Sequence, residues 1–209
     1  MNKKTVKLGL SSKHIHITKE DCDTLFGVGY ELNRFKWMGQ PGQFATVEKV
    51  DIIGPKGALK GVRIIGPVRP ECQLEISISD TYKLGIDAVV KDSGDIDGTP
   101  GFTIVGPKGE VVKEKGAIVA ARHVHLSTEE GREYGLSDGE IVSVLIPGKR
   151  SIILNNCTVR VGDSHKKEMH IDVEEGNAAG AKNDQLGIIL SQEDVMNGDM
   201  VEVFFKSFE

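Results

Sequence analysis

The chain has 209 residues, 39% of them hydrophobic and 27% charged, with a formal net charge of -5 at pH 7. This is ordinary globular composition, enough for one large domain or two small ones, and the acidic balance excludes a general nucleic-acid-binding face, which must be basic. No segment approaches the roughly 20 apolar residues that span a bilayer, and the three cysteines, Cys22, Cys72 and Cys157, are too few and too scattered for a disulfide framework or a cysteine-only zinc site.

The first nine residues carry three lysines and no long apolar run, so they read as neither a signal peptide nor a membrane anchor. The apolar stretch Val6 to Leu10 leads into Lys13-His14-Ile15-His16-Ile17-Thr18. Thr18 as N-cap, Glu20 and Asp21 in the first turn and Gly27 past the end predict a short helix. Val62 to Gly66 and Gln73 to Ser77 alternate apolar and polar residues, as half-buried strands do. Gly54-Pro55-Lys56-Gly57, Gly66-Pro67 and Gly106-Pro107-Lys108-Gly109 mark turns, and the polar stretch Lys91 to Gly101 is the candidate hinge. Ala117 to Ala121 then leads into Arg122-His123-Val124-His125-Leu126-Ser127, where Ser127 and Glu130 have capping-box spacing and Gly135 suits a helix stop. Val159 to Gly162 and Glu168 to Asp172 alternate in their turn.

The second half therefore repeats the first, with Glu75 and His170 in equivalent places. Twenty-five glycines and only 5% aromatic residues suit many short strands joined by tight turns. The expected fold is mainly β with short helices, built as two related β-barrel domains in a pseudo-two-fold arrangement. The expected halves are residues 1–100 and 101–209, with a boundary near 91–116 and strand exchange between them allowed.

Of the six histidines, four form two His-x-His pairs. On a strand, residues i and i+2 share a face, so His14 and His16 project together, as do His123 and His125. Two imidazoles on one face are a natural divalent-metal chelate. The repeat adds a third donor to each, giving His14/His16/Glu75 and His123/His125/His170. Three protein ligands with open positions is the catalytic rather than the structural pattern. A lone His-x-His is weak evidence, since one histidine is often buried while its neighbour is solvated; duplication in equivalent positions strengthens it. His165 stands outside any motif and reads as a surface residue.

At these residues the sequence resembles the PduL phosphotransacylase family, over roughly residues 5–178. The resemblance rests on SSKHIHIT, LFGVGYEL, QPGQFATVE, GPKG, VRIIGPVRPECQLEIS, ARHVHLS and EMHIDVEEGNA. It implies an acyltransferase that moves propionyl or acetyl between coenzyme A and inorganic phosphate. It also implies two zinc ions per chain, held by the two donor sets at one dinuclear site between the domains, and Arg69 as the phosphate-site residue. Ser11, Lys36, Arg63, Ile65, His170 and Asn177 match positions that line the coenzyme A pocket. The sequence departs from the family pattern at Lys13, where arginine is usual, and at Cys72, where threonine is more frequent.

The implied partners are small molecules (acyl-CoA, phosphate, acyl phosphate), with no nucleic acid and no membrane; a homo-oligomer is left open. The first motif begins within about ten residues of Met1, without the N-terminal extension that directs many members into bacterial microcompartments. A cytoplasmic enzyme is expected, not a shell-associated one. Two other classes share parts of the pattern. A cupin-like oxygenase normally has one His-x-His, and a binuclear hydrolase needs aspartates beside its histidines, which neither pair has here. A non-catalytic metal or coenzyme A module would close its coordination, whereas these sets stop at three donors.

Overall fold

The structure is a computed structural model that describes residues 4–190. In chain order its elements are β1 (Thr5–Ser11), β2 (His14–His16), α1 (Lys19–Phe26), β3 (Arg34–Trp37), β4 (Phe44–Ile53), β5 (Ala58–Gly66), β6 (Gln73–Glu75), α2 (Ile78–Leu84), β7 (Val90–Lys91), β8 (Phe102–Val105), β9 (Glu110–Lys113), β10 (Ala117–Ala120), β11 (His123–Leu126), α3 (Thr128–Tyr134), β12 (Ile141–Ile146), β13 (Ile152–Val161), β14 (Glu168–Asp172), α4 (Val173–Ala179) and β15 (Leu186–Leu190). The protein is mainly β with short helices, as the glycine content and alternation predict. Residues 191–209 of the expected second half lie outside the described residues.

The chain gathers into two compact units. One takes the described residues up to Ser11, Gly39–Pro41 and those from Ala121 onward; the other takes Ser12–Met38 and Gly42–Ala120. The first is a closed barrel in the order β1-β14-β11-β13-β12-β15. It closes because β1 runs parallel to β14 on one side and antiparallel to β15 on the other. Its core is made by Leu8, Val124, Leu126, Val144, Val159 and Met169, and burying a side chain of this kind is worth about 1.5–3 kcal/mol.

The second unit is a curled nine-stranded sheet, ordered β7-β10-β6-β2-β5-β4-β8-β9, with β3 paired to β4; it curls without closing. Ile15, Leu25, Ile52, Leu59, Ile64, Leu74 and Ile104 fill its core. The strand preceding each His-x-His strand belongs to the other unit: β1 pairs with β14, and β10 pairs parallel with β6.

The helix signals at Thr18 and Ser127 have their expected outcome. Both residues cap their helices with complete capping boxes, through Asp21 and Glu130, and Gly135 ends α3 in the left-handed conformation. Two further helices, α2 and α4, follow β6 and β14 and were not expected. Their caps are nonetheless written in the sequence: Ser77 accepts from the Asp80 N–H, Asp172 and Glu175 form a capping box, and Gly85 and Gly180 close the C-termini at positive φ.

The two Gly-Pro-Lys-Gly turns do more than reverse the chain. The Lys56 N–H donates to the Leu84 carbonyl at 2.9 Å, and the Lys108 N–H donates to the Leu25 carbonyl at 3.0 Å. Each turn thus satisfies an orphan carbonyl at the end of a helix, α2 in one case and α1 in the other. This needs close approach, because a Cβ on Gly54 would lie 2.4 Å from the Leu84 oxygen and one on Gly106 2.7 Å from the Leu25 oxygen. Gly54→Ala is therefore expected to destabilise the protein by about 1–3 kcal/mol through overpacking, read as a lower urea midpoint at unchanged m-value.

Candidate metal centres

The alternation of four short strands builds both donor groups. In β2 and β6 the central residues Ile15 and Leu74 are fully buried, so their polar neighbours are turned to the opposite face. In β14 Met169 and Ile171 enter the barrel core, which turns Glu168 and His170 away from it. Register does the rest. β2 pairs antiparallel with β6 so that His14 faces Glu75, and β11 pairs antiparallel with β14 so that His123 faces His170. Directly opposed residues have Cβ atoms about 4.5–5.5 Å apart. The donor atoms of His14, His16 and Glu75 consequently lie within 4.8 Å of one another, and so do those of His123, His125 and His170.

The residue before each pair repeats as well. Lys13 contacts Asp80 at 3.2 Å, and Arg122 contacts Glu175 at 2.7 Å. Asp80 and Glu175 are the third residues of α2 and α4, so each His-x-His strand is tied to the helix that follows its partner strand. Lysine at position 13 and arginine at position 122 make equivalent ties.

The tautomers are set by what surrounds each ring. The Nδ1 atoms of His14, His16 and His123 lie 2.9, 3.0 and 2.8 Å from the carbonyl oxygens of Ser12, Ile65 and Ala121. A carbonyl only accepts, so Nδ1 carries the proton in all three and Nε2 is the nitrogen left with a free lone pair, able to coordinate a metal. Nε2 of His14 lies 3.4 Å from Glu75 Oε2. Glu75 is aimed through its other oxygen: Oε1 accepts from Gln73 Nε2 at 2.7 Å and from Ser93 Oγ at 2.9 Å, while the Gly94 N–H holds Gln73 Oε1 at 2.6 Å. Ser93 and Gly94 belong to the polar stretch read as a hinge.

Burial, then the neighbouring His14 and Arg69 charges, push His16 down to about 3. Burial, then His123 and His170, push His125 down to about 2. Both rings are therefore neutral at neutral pH, which is the form that binds metal. Nε2 of His123 and Nε2 of His125 are 3.1 Å apart, close to the roughly 3.3 Å between two nitrogens on a tetrahedral zinc with 2.0–2.1 Å bonds. His125 Nδ1 is the buried side-chain polar atom without a hydrogen-bond partner among the described residues. The donor sets and their spacing fit a divalent metal such as zinc.

The remaining expected residues divide between the units. Arg69 lines a pocket of about 180 Å³ with Pro70, Glu71, Gln73, Gly94 and Ile96. Burial lowers its pKa and Glu75 raises it. Arg63 and Ile65 lie on β5 and the exposed Lys36 on β3; Arg63 donates to the Thr46 carbonyl and stacks 5.2 Å over the Phe35 ring. Ser11 ends β1, and Asn177 is exposed on α4. His165 is half-buried, not a surface residue: its ring centroid is 4.5 Å from that of His125, and its Nδ1 lies 3.1 Å from the Arg160 carbonyl.

Sequence reasoning missed Gln73, Ser93, Gln40 and Glu168. Glu168 Oε2 lies 2.9 Å from His170 Nε2 and 3.0 Å from Gln40 Nε2. Burial raises the Glu168 pKa, but the hydrogen bonds from His170 and Gln40 outweigh it and hold the carboxyl below its usual range. The i, i+2 spacing of Glu168 and His170 on an alternating strand was the available signal.

The fold and these donor groups define a mainly β protein with two groups of three side chains that could each hold a metal ion. A family model described as phosphate propanoyltransferase matches residues 7–182. The phosphate propanoyltransferase of Thermotoga maritima is 48% identical over 173 residues, covering 82% of each chain. That of Rhodopseudomonas palustris is 48% identical over 181 residues, covering 87% of this chain and 80% of the relative. That of Listeria monocytogenes is 41% identical over 187 residues, covering 90% and 88%. The chain belongs to the phosphate propanoyltransferase family, and is an enzyme of the acyltransferase class.

The three cysteines are buried free thiols, and burial pushes Cys72 and Cys157 up to about 12. None is a ready thiolate nucleophile. A disulfide thiol reagent at pH 7 is expected to label none of the three in the native protein and all of them after unfolding. A rapid native reaction would show that one thiol is accessible and ionised.

Proposed function

We propose that this enzyme transfers a short acyl group, propionyl or acetyl, between coenzyme A and inorganic phosphate, with one zinc ion in each donor group. The observation that supports this reading best is the recurrence of the donor triplet. The same cross-strand register is built twice, once ending in a carboxylate and once in a third imidazole, in a chain of this family.

In the forward direction a phosphate oxygen forms a bond to the acyl carbonyl carbon. The carbon–sulfur bond breaks, and coenzyme A leaves as the thiolate. Acyl phosphate is the other product. Transfer is direct, and the raised cysteine thiols agree with the absence of a covalent protein intermediate. His14, His16 and Glu75 would hold one zinc on the side of the coenzyme A sulfur; His123, His125 and His170 would hold the other. When bound, zinc stabilises a thiolate and polarises an acyl or phosphoryl oxygen.

The protein's own groups supply the rest. Arg69 presents its planar fork to the phosphate oxygens from the pocket it lines, offsetting their charge. Gln73 and Ser93 fix Glu75 through one oxygen so that the other faces His14. Ser11, Lys36, Arg63, Ile65, His170 and Asn177 contact coenzyme A, with Lys36 and Arg63 suited to its phosphates. The buried free thiols support a reducing, cytoplasmic location.

Phosphate-dependent thiol release from propionyl-CoA and acetyl-CoA tests the reading. Chelation should abolish it and zinc restore it. His14→Ala and His125→Ala should each lower kcat/KM by about 100-fold or more, at least the loss caused by removing a supporting partner of a metal ligand. Activity that survived chelation and both substitutions would reject the zinc assignment.

Arg69→Ala should lower kcat/KM for phosphate by about 10–100-fold, the worth of a charged hydrogen-bonding group, and Arg69→Lys should recover it only in part. An unchanged dependence on phosphate concentration would remove Arg69 from this role.

A further inference from the structure

The His170 ring is held differently from the other donors. His14, His16 and His123 each give Nδ1 to a backbone carbonyl, which leaves Nε2 for coordination. His170 instead has Nε2 2.9 Å from Glu168 Oε2. An ionised carboxylate only accepts, so Nε2 is the protonated nitrogen and Nδ1 carries the lone pair.

The ring's orientation agrees. β14 lies between β1 and β11, with Gly9 opposite His170 on one side and His123 opposite it on the other. A Cβ on Gly9 would lie 3.0 Å from His170 Cδ2 and 3.1 Å from Glu168 Oε1. The Cδ2 edge therefore faces β1, and the Nδ1 edge faces β11 with His123 and His125.

Glu168 is itself fixed. Gln40 Nε2 donates to Glu168 Oε2 at 3.0 Å and to the Lys166 carbonyl at 2.9 Å, while the Lys166 N–H donates to Gln40 Oε1 at 3.2 Å. The chain at Gly39 lies directly on the carboxylate, since a Cβ there would sit 2.2 Å from Oε2. Two glycines and an amide leave the carboxylate one orientation.

We infer that Glu168, held by Gln40, is the positioning residue for His170: it accepts the hydrogen bond from the Nε2–H and so presents Nδ1 to the metal, in contrast to His14, His16 and His123, whose Nδ1 atoms are held by carbonyls and whose Nε2 atoms are left for coordination. The inference rests on the reading that the three-histidine group binds a divalent metal. A carboxylate or carbonyl behind a ligating imidazole fixes its tautomer and raises its basicity.

The test uses the full-length protein labelled with 15N and stripped of metal. Long-range proton–nitrogen correlations are expected to show His170 protonated on Nε2, and added zinc or cadmium to shift its Nδ1 resonance. A proton on Nδ1, or a metal-induced shift at His170 Nε2, overturns the inference. In zinc competition against a chromophoric chelator, Glu168→Ala should weaken one of the two bound equivalents by about 10–100-fold. Glu168→Gln keeps a side-chain oxygen to accept the same bond and should recover most of that loss.

Unchanged zinc affinity in Glu168→Ala, or Glu168→Gln as defective as Glu168→Ala, would also overturn it. The wild-type spectrum carries the test should Glu168→Ala fail to fold. Failure of the metal reading has a separate signature: wild type would take up no zinc, while its metal-free spectrum would still report the Glu168–His170 contact.

Discussion

Both donor groups depend on the pairing register of two short strands, β2 against β6 and β11 against β14. Side chains alternate faces along a strand, so a slip of one residue would carry every donor into the core and bring Ile15 or Val124 to the surface. The full burial of Ile15, Leu74, Val124 and Met169 opposes that slip. Hydrophobic packing on one face thus fixes the spacing of the donor side chains on the other. The strands can be as short as three residues because each is flanked on both sides by paired neighbours.

Around this common plan the two centres are supported by different means. In the curled sheet, Gln73 and Ser93 hold the carboxylate donor through one oxygen. In the barrel, a carboxylate holds the third imidazole from behind and is itself held by Gln40. The ties from Lys13 to Asp80 and from Arg122 to Glu175 are common to both. The two halves share the backbone register and the strand-to-helix ties, and differ in the partners of the third donor, a carboxylate in one and an imidazole in the other.

Much of this was legible in the sequence because it is local. The His-x-His pairs, the capping signals at Thr18 and Ser127 and the strand alternation each lie within a few residues, and the repeat joined Glu75 and His170 to them. What escaped was of two kinds. The helices α2 and α4 are short and begin at once where a strand ends, so their caps at Ser77 and Asp172 read as strand ends. The supporting contacts of Ser93 and Gln40 span 18 and 128 residues of sequence, and no local pattern encodes them.

The closure of the barrel has a consequence for how the chain is made. Of the described elements β1 is made first, yet the two strands that flank it, β14 and β15, are the last strands made. Val6 and Leu8, buried in the finished barrel, stay without their cover until those strands are made. The curled sheet has its last strand by Ala120 and can fold as a unit well before. Vectorial synthesis thus orders the two units in time, the three-histidine group assembling last because its frame waits for the long-range pairing of β1 with β14 and β15.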